Sequence, residues 1–356
     1  MKVGIITFHR AWNYGAVLQC YALQQAIKNL GHDVKVIDYR QSAIEKCYQT
    51  FSFKGSIKAL LKPEKCYEQG FLYRNRINKD FKAFRRDFLQ LTSPCKKSSI
   101  PLDFNAYVIG SDQLWVPNWT GNEFDDVYLG KFKRDAHAKV VGYAISTNAN
   151  SISKMSNKQL SLIKDNFDSL SLREKDAATI IENKLGSKVH IDLDPTLLLA
   201  KDSWTPILSK SKKNDRPYMV TYHLPGRYKA LGRSDFVKSA EIIAEKHHLE
   251  LVDLSSFKYS VSDFVSLISN ASLVLTSSFH ATVFSLIFNR PLIALQLNDG
   301  FDNRYVELLH AVGADNAIYG PNFTEVNHIQ TDYSKVNNRL QELRVPSLDY
   351  LKENLQ

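Results

Sequence analysis

Short apolar runs alternate with helix-spaced apolar residues along most of the chain. Residues 3–8, VGIITF, form a continuous apolar run that suits a parallel strand covered on both faces. In AVLQCYALQQAIKNLG, residues 16–31, Leu18, Tyr21, Ala22 and Ala26 recur at helical spacing, and Gly31 supplies a C-cap. HDVKVIDY then reads as a second strand. Strand, helix, strand predicts a right-handed crossover and a parallel sheet. Further strands are expected at AYVIG (106–110), KVVGYAIS (139–146), SLSL (169–172) and VHIDL (189–193), with a helix over REKDAATIIENKLG.

Residues 205–217, TPILSKSKKNDRP, are polar, charged and flanked by prolines, which marks an interdomain linker. A second alternating series follows it. YMVTYHL, LELVDLS, LVLTSS and PLIAL read as strands, and SDFVKSAEIIAEKH, VSDFVSLISNA, ATVFSLIFN and NRYVELLHAVG as helices. The expected organisation is a first domain over 1–204, the linker, a second domain over 218–330, and a helical tail over 331–356 that packs back on the first domain. The fold class is α/β: two doubly wound, Rossmann-like domains with an interdomain cleft, as in the two-domain glycosyltransferases called GT-B. Ligands in such folds bind beyond the carboxyl ends of the strands.

Composition narrows the class. The 356 residues suit two domains of roughly 150 each. With 44% hydrophobic and 23% charged residues the chain reads as a globular protein. No run of about 18 apolar residues suggests a membrane span. The N-terminus reads as a strand rather than a signal peptide, and Cys20, Cys47, Cys66 and Cys95 lack metal or disulfide-framework spacing. A cytoplasmic location is expected, with free thiols.

Charge adds one regional feature. Between Lys46 and Lys97 there are 13 Lys/Arg against 4 Asp/Glu, which equals the whole net charge of +9. This region, about 45–97, reads as an inserted helical excursion with helices near 56–62 and 74–90. One reading is a solvated helical face; the other is an anionic partner. Its interleaved Phe and Tyr would suit base stacking, but no nucleic-acid motif is present, so no nucleic acid is expected.

The candidate chemistry sits where strands end. TFHRAWNYGA (7–16) places His9, Asn13 and Gly15 after the first strand, at a helix start whose free N–H groups suit an anion or a hydroxyl. It reads equally as a turn needing a permissive backbone. GSDQLWVPNW (110–119) follows another strand. There Asp112 suits a sugar hydroxyl, Trp115 and Trp119 suit stacking on a sugar, and Asp112 reads equally as a cap. SLREKDA places Arg173 and Glu174 at a helix start, either as an anion grip or as a surface pair. TSSFHATVFSLIFNRPL (276–292) ends a buried strand in hydroxyls and a histidine. Ser277, Ser278 and the helix start suit a phosphate, and His280 suits a proton. Alternatively Ser278 is only a cap and His280 only a buried residue. Arg304 lies past the next strand, as a second cation or as an exposed helix residue.

Five stretches, TFHRAWNYGAVLQCYAL, GSDQLWVPNW, SLREKDA, DLDPTLLL and TSSFHATVFSLIFNRPL, resemble the polysaccharide pyruvyl transferase family in its own order across roughly residues 3 to 313. Ala281 stands where the family pattern suggests glycine. Ser278 stands where related members often carry arginine, so a cation must come from Arg173 or Arg304. The resemblance implies a GT-B-like fold, phosphoenolpyruvate as donor, and a sugar acceptor in a polysaccharide or its lipid-diphosphate-linked precursor. The implied product is a cyclic pyruvate ketal, with phosphate released. On that basis His280 and Asp112 are the catalytic candidates. Ser277, Ser278, Arg173 and Arg304 would hold phosphoenolpyruvate, and His9, Asn13, Gly15, Ser111, Gln113 and Trp115 the acceptor. No cofactor and no metal is expected. The alternative is a GT-B glycosyltransferase using a nucleotide-sugar donor, since one fold hosts many chemistries. The basic region 46–97 would dock on an anionic membrane face through residues such as Lys82, Arg85 and Arg86.

Overall fold

A computed structural model describes residues 1–48, 71–208, 216–256, 258–320, 323–325 and 331–356. It divides into two compact units, Met1–Leu199 with Arg344–Gln356, and Ala200–Leu343. Each is an α/β unit built on a parallel sheet.

In the first unit the strands are β1 (Lys2–Ile6), β2 (Asp33–Val36), β3 (Ala106–Ile109), β4 (Lys139–Ile145), β5 (Ser169–Leu172) and β6 (His190–Ile191). They pair in the order β2-β1-β3-β4-β5-β6, all parallel. Burial follows position in the sheet. β3 is AYVI with every residue buried, as helices on both faces require, whereas β2, an edge strand, alternates exposed and buried along DVKV. The helices are α1 (Tyr14–Asn29), α2 (Ser42–Cys47), α3 (Phe71–Phe88), α4 (Ala149–Ser153), α5 (Asn157–Asn166) and α6 (Lys175–Leu185).

The second unit holds β7 (Tyr218–Tyr222), β8 (Glu250–Asp253), β9 (Leu273–Thr276), β10 (Leu292–Leu295) and β11 (Ile318–Tyr319), in the parallel order β11-β10-β9-β7-β8. Its helices are α7 (Arg233–Lys246), α8 (Val261–Asn270), α9 (Phe279–Ile287) and α10 (Asn303–Val312). All nine residues of α9 are buried, so the helix is apolar nearly all round. Ser285 is accommodated there because its hydroxyl donates back to the Ala281 carbonyl at 2.8 Å. A last helix, α11 (Tyr333–Asn354), begins in the second unit and ends in the first. Within the first unit Ser347 Oγ accepts from the Leu193 N–H at 3.0 Å, and the Tyr350 hydroxyl donates to the Gly142 carbonyl at 2.9 Å.

Both sheets reverse direction once, and this fixes where chemistry can sit. From β1 the chain builds outward to β2, then returns to place β3 on the other side of β1. From β7 it builds to β8, then places β9 on the other side of β7. The loops after β1 and β3, and those after β7 and β9, diverge at these switch points and leave a crevice at the carboxyl ends of the strands.

Two expectations change. The boundary falls at Leu199, so residues 205–208 of the expected linker belong to a turn of the second unit, and 209–215 lie outside the described residues. The helix expected near 56–62 also lies outside them, while that expected at 74–90 is α3. On α3, Arg85 is only 6% exposed, because it shares a face with Ile77, Phe81 and Phe84 at helical spacing. Burial pushes its guanidinium down to about 10. Of the three residues expected to dock on a membrane, only Lys82 and Arg86 are exposed, and Arg86 pairs with Asp87 at 2.6 Å. Among the described residues no helix is long and apolar enough to cross a membrane.

Candidate functional site

In the first unit a pocket of about 540 Å³ opens at the β1/β3 switch point. Asn13, Asp112, Gln113 and Trp119 line it, together with Ala43 and Lys46 of α2. Each is held by a local device. Asn13 is the N-cap of α1, its Oδ1 accepting from the Ala16 N–H at 3.2 Å. Gly110 takes φ 137°, and a Cβ there would lie 2.0 Å from the Tyr143 carbonyl oxygen, so the strand can end this way only with glycine. Asp112 follows at φ 77°, a left-handed conformation that a short polar side chain tolerates best. It is secured because its carbonyl accepts from Leu114 (2.7 Å) and Ser146 (2.9 Å), and its Oδ1 from the Gln113 N–H (2.8 Å). A non-glycine residue held at positive φ in a pocket wall marks a functional candidate. Gln113 Oε1 accepts from the Trp119 indole N–H at 3.1 Å. That bond fixes a ring which stays 47% exposed.

Several expected acceptor contacts lie elsewhere. Ser111 is fully buried, and its hydroxyl donates to the Ala144 carbonyl at 2.6 Å. Trp115 is fully buried, with its indole N–H on the Tyr128 carbonyl at 2.8 Å. It is a core residue, and Trp119 takes the exposed role. Gly15 is buried in the first turn of α1. His9 is 1% exposed, does not line the pocket, and directs Nε2 to Asp38 Oδ1 at 2.9 Å. Burial alone would raise the Asp38 carboxyl, but hydrogen bonds from His9 and Arg10 hold it well below the usual range. Arg173 is buried between carboxylates, with Nη1 on Asp194 and Nε 3.3 Å from Glu174. Burial opposes its charge, yet Asp194 and Glu174 overcome this and raise it further. The sequence suggested it as the cation for a phosphorylated donor; the structure sets it between these two carboxylates, which balance its charge.

In the second unit the β7/β9 switch point brings the 276–280 stretch beside His223. Thr276 Oγ1 donates to the Tyr222 carbonyl at 2.6 Å and accepts from the Ser278 N–H at 3.0 Å. Ser278 occupies the N-cap position of α9, but its hydroxyl makes no capping bond. The first turn of α9 thus starts without a cap from Ser278, at the positive end of a buried helix. His280, second in that helix, is 9% exposed. The Phe279 ring stands edge-on to it at 5.1 Å, and the Arg304 guanidinium lies 5.9 Å from the centre of the same ring. The geometry thus gathers Ser278, His280 and Arg304 around one helix start.

Ser277 is differently engaged. Its Oγ lies 2.7 Å from His223 Nδ1, while His223 Nε2 lies 2.8 Å from the Leu231 carbonyl. A carbonyl only accepts, so Nε2 carries the proton. Burial pushes His223 below the ordinary imidazole value, which keeps it neutral, and Nδ1 accepts the Ser277 proton. That hydroxyl donates to His223, whereas the sequence reading turned it towards a phosphate. Arg227 locks the same turn. Its Nη1 donates to the Ser277 carbonyl and to the Tyr305 hydroxyl, each at 2.7 Å, and the rest of the guanidinium grips Asp299 and Asp302. His223 and Arg227 were not expected from YHLPGR, which reads as a strand end and a turn. Only the adjacency of β7 and β9 gives them meaning.

Comparisons with known proteins complete the picture. Solved structures with a similar fold include the UDP-GlcNAc 2-epimerase of Neisseria meningitidis bound to UDP-GlcNAc (10% identity, 99% of this chain and 94% of that one, TM-score 0.46). The UDP-GlcNAc 2-epimerase of Methanocaldococcus jannaschii is similar (11%, 97% and 93%, 0.46), as is a Streptomyces glycosyltransferase (10%, 98% and 96%, 0.40). At such identities they carry no functional weight. No curated protein is similar enough to count as a match. The family model described as "Polysaccharide pyruvyl transferase" matches residues 13–299, a stretch that includes Asn13, Asp112, Gln113 and Trp119 of the first unit and Ser278 and His280 of the second, while Arg304 lies just beyond it. The chain belongs to the polysaccharide pyruvyl transferase family.

Proposed function

We propose that the protein transfers the pyruvyl group of phosphoenolpyruvate to two hydroxyls of one sugar, forming a cyclic ketal and releasing phosphate. Membership of the family over residues 13–299 is the observation that carries this reading. The chemistry asks for three things: a cation and hydrogen-bond donors for a ligand bearing phosphate and carboxylate, a proton for C3 of the enol, and polar groups for a sugar. In the second unit the positive end of α9, Ser278 and Arg304 suit the donor's anionic groups, and His280 suits the proton. In the first unit Asn13, Asp112 and Gln113 suit sugar hydroxyls, and Trp119 suits the apolar face of a sugar ring. Net, both hydroxyl oxygens end on C2. One of their protons is matched by the proton gained at C3, and the other leaves with phosphate.

Incubation of the protein with phosphoenolpyruvate and a panel of free, nucleotide-linked and lipid-diphosphate-linked sugars tests this. The expected result is phosphate release tied to one acceptor class, with a pyruvate ketal on the product sugar. Transfer of a sugar from a nucleotide-sugar donor, with phosphoenolpyruvate untouched, would support the glycosyltransferase alternative instead.

A further inference from the structure

Ser277 and His223 have no part in the chemistry assigned above, yet they are arranged as a reacting pair. Ser277 stands in the sharp turn between β9 and α9. Its N–H donates to the Tyr222 carbonyl at 3.3 Å, and its carbonyl accepts from Arg227 at 2.7 Å. Both backbone ends are pinned, so the hydroxyl position is set by the fold. His223 is fixed as tightly. Its ring stacks on Phe236 with centroids 4.5 Å apart and planes 19° apart, and its Nε2 proton is held by Leu231. Nδ1 is left as a lone-pair acceptor 2.7 Å from Ser277 Oγ. A hydroxyl within reach of a base, and that base oriented by a third group, is the constellation that activates serine nucleophiles. Here a backbone carbonyl fills the place a carboxylate takes elsewhere. α9 begins two residues on, and the positive end of its dipole can stabilise negative charge near the serine. Both residues are buried, Ser277 2% and His223 1% exposed.

We propose that Ser277 is an activated nucleophile with His223 as its base, and that it carries C2 of the pyruvyl group covalently during transfer. The covalent role rests on the pyruvyl-transfer reading; the activation of Ser277 does not. Ser277 Oγ forms a bond to C2 of the enol, and its proton passes to His223 Nδ1. The π electrons of the double bond take a proton at C3 from His280. The adduct keeps phosphate and carboxylate on C2. The first sugar hydroxyl then displaces phosphate by cleavage of the bond between C2 and the phosphate oxygen, and its proton leaves with the phosphate. The second displaces Ser277 Oγ, which recovers a proton from His223, while the proton of that second hydroxyl restores His280. The sum is one ketal and one phosphate.

A phosphonofluoridate probe tests the pair without any phosphoenolpyruvate, since attack on phosphorus expels fluoride and leaves a stable adduct. On the full chain the label should map to Ser277, disappear in Ser277→Ala and persist in Ser278→Ala. In His223→Gln the labelling rate should fall at least 100-fold. Should that variant fold poorly, the pH profile of the unaltered protein decides: labelling should fall away on the acid side, as His223 takes up a proton. Excess phosphoenolpyruvate should slow labelling. No label on Ser277, or a rate indifferent to both His223→Gln and pH, overturns the activation. Labelling that phosphoenolpyruvate never slows overturns the covalent role. Failure of phosphate release in the acceptor panel, with Ser277 still labelled, would fault the pyruvyl-transfer reading alone.

Discussion

Replacing His280 with glutamine should lower kcat by roughly 10²- to 10⁴-fold, the usual worth of a positioned proton donor, and change KM for phosphoenolpyruvate little. The reasoning is local. His280 is the second residue of α9, in its first turn at the positive end of the helix. Phe279 and Arg304 flank that turn, so a donor held there by its anionic groups would present its enol carbon near the imidazole. The enol accepts a proton only at C3, and histidine is the side chain that can supply one near neutral pH. Glutamine keeps similar bulk and a hydrogen-bonding end but cannot exchange a proton. The helix start and Arg304 remain, so binding should persist. Steady-state kinetics under saturating acceptor check this. Full turnover in His280→Gln, with an unchanged pH profile, would remove His280 from the chemistry.

The second large effect concerns stability. Arg227→Met should destabilise the second unit by about 3–5 kcal/mol, because it leaves two carboxylates facing an apolar side chain. Arg227 is 3% exposed, and its partners Asp299 and Asp302 are 17% and 2% exposed. Asp302 also accepts from the backbone N–H groups of Leu297 and Asn298, at 2.9 and 2.5 Å, and so orders the loop that leads into α10 and Arg304. The change therefore loosens three things together: the Ser277 carbonyl, the 297–302 loop and the base of Arg304. Thermal unfolding should show a loss on the order of 10 °C for a unit of this size. Adding Asp302→Asn should recover part of it by removing one of the stranded charges. An Arg227→Met protein as stable as the parent would mean that the cluster is solvated and contributes little.

The fold was largely legible because parallel strands covered on both faces read as continuous apolar runs. AYVI, LVLT and LIAL are buried throughout, and each was visible as a strand. Gly31 and Gly313 marked helix ends for a backbone reason, their φ angles being 89° and 71°. The sites were only half legible. Position after a strand placed Asp112, Gln113, Ser278 and His280 at the carboxyl ends of the sheets, where the structure also has them, but it says nothing of side-chain direction. Ser111 and Trp115 share the Asp112 loop, yet one hydroxyl turns to Ala144 and one indole to Tyr128. Arg173 looked like an anion grip because Asp194, its partner, lies 21 residues on. His223 and Arg227 were invisible for the complementary reason. Their meaning comes from β7 lying beside β9, a neighbour relation across 50 or more residues that no local pattern encodes.

The most direct measurement is equilibrium binding of phosphoenolpyruvate to the full chain by calorimetry, beside a panel of nucleotide sugars and with Arg304→Met in parallel. Phosphoenolpyruvate should saturate one site, the nucleotide sugars should not compete for it, and loss of the Arg304 cation should weaken binding about tenfold or more, as for a charge-assisted contact. Saturable binding of a nucleotide sugar, with none of phosphoenolpyruvate, would contradict the assignment of the second unit to the pyruvyl donor.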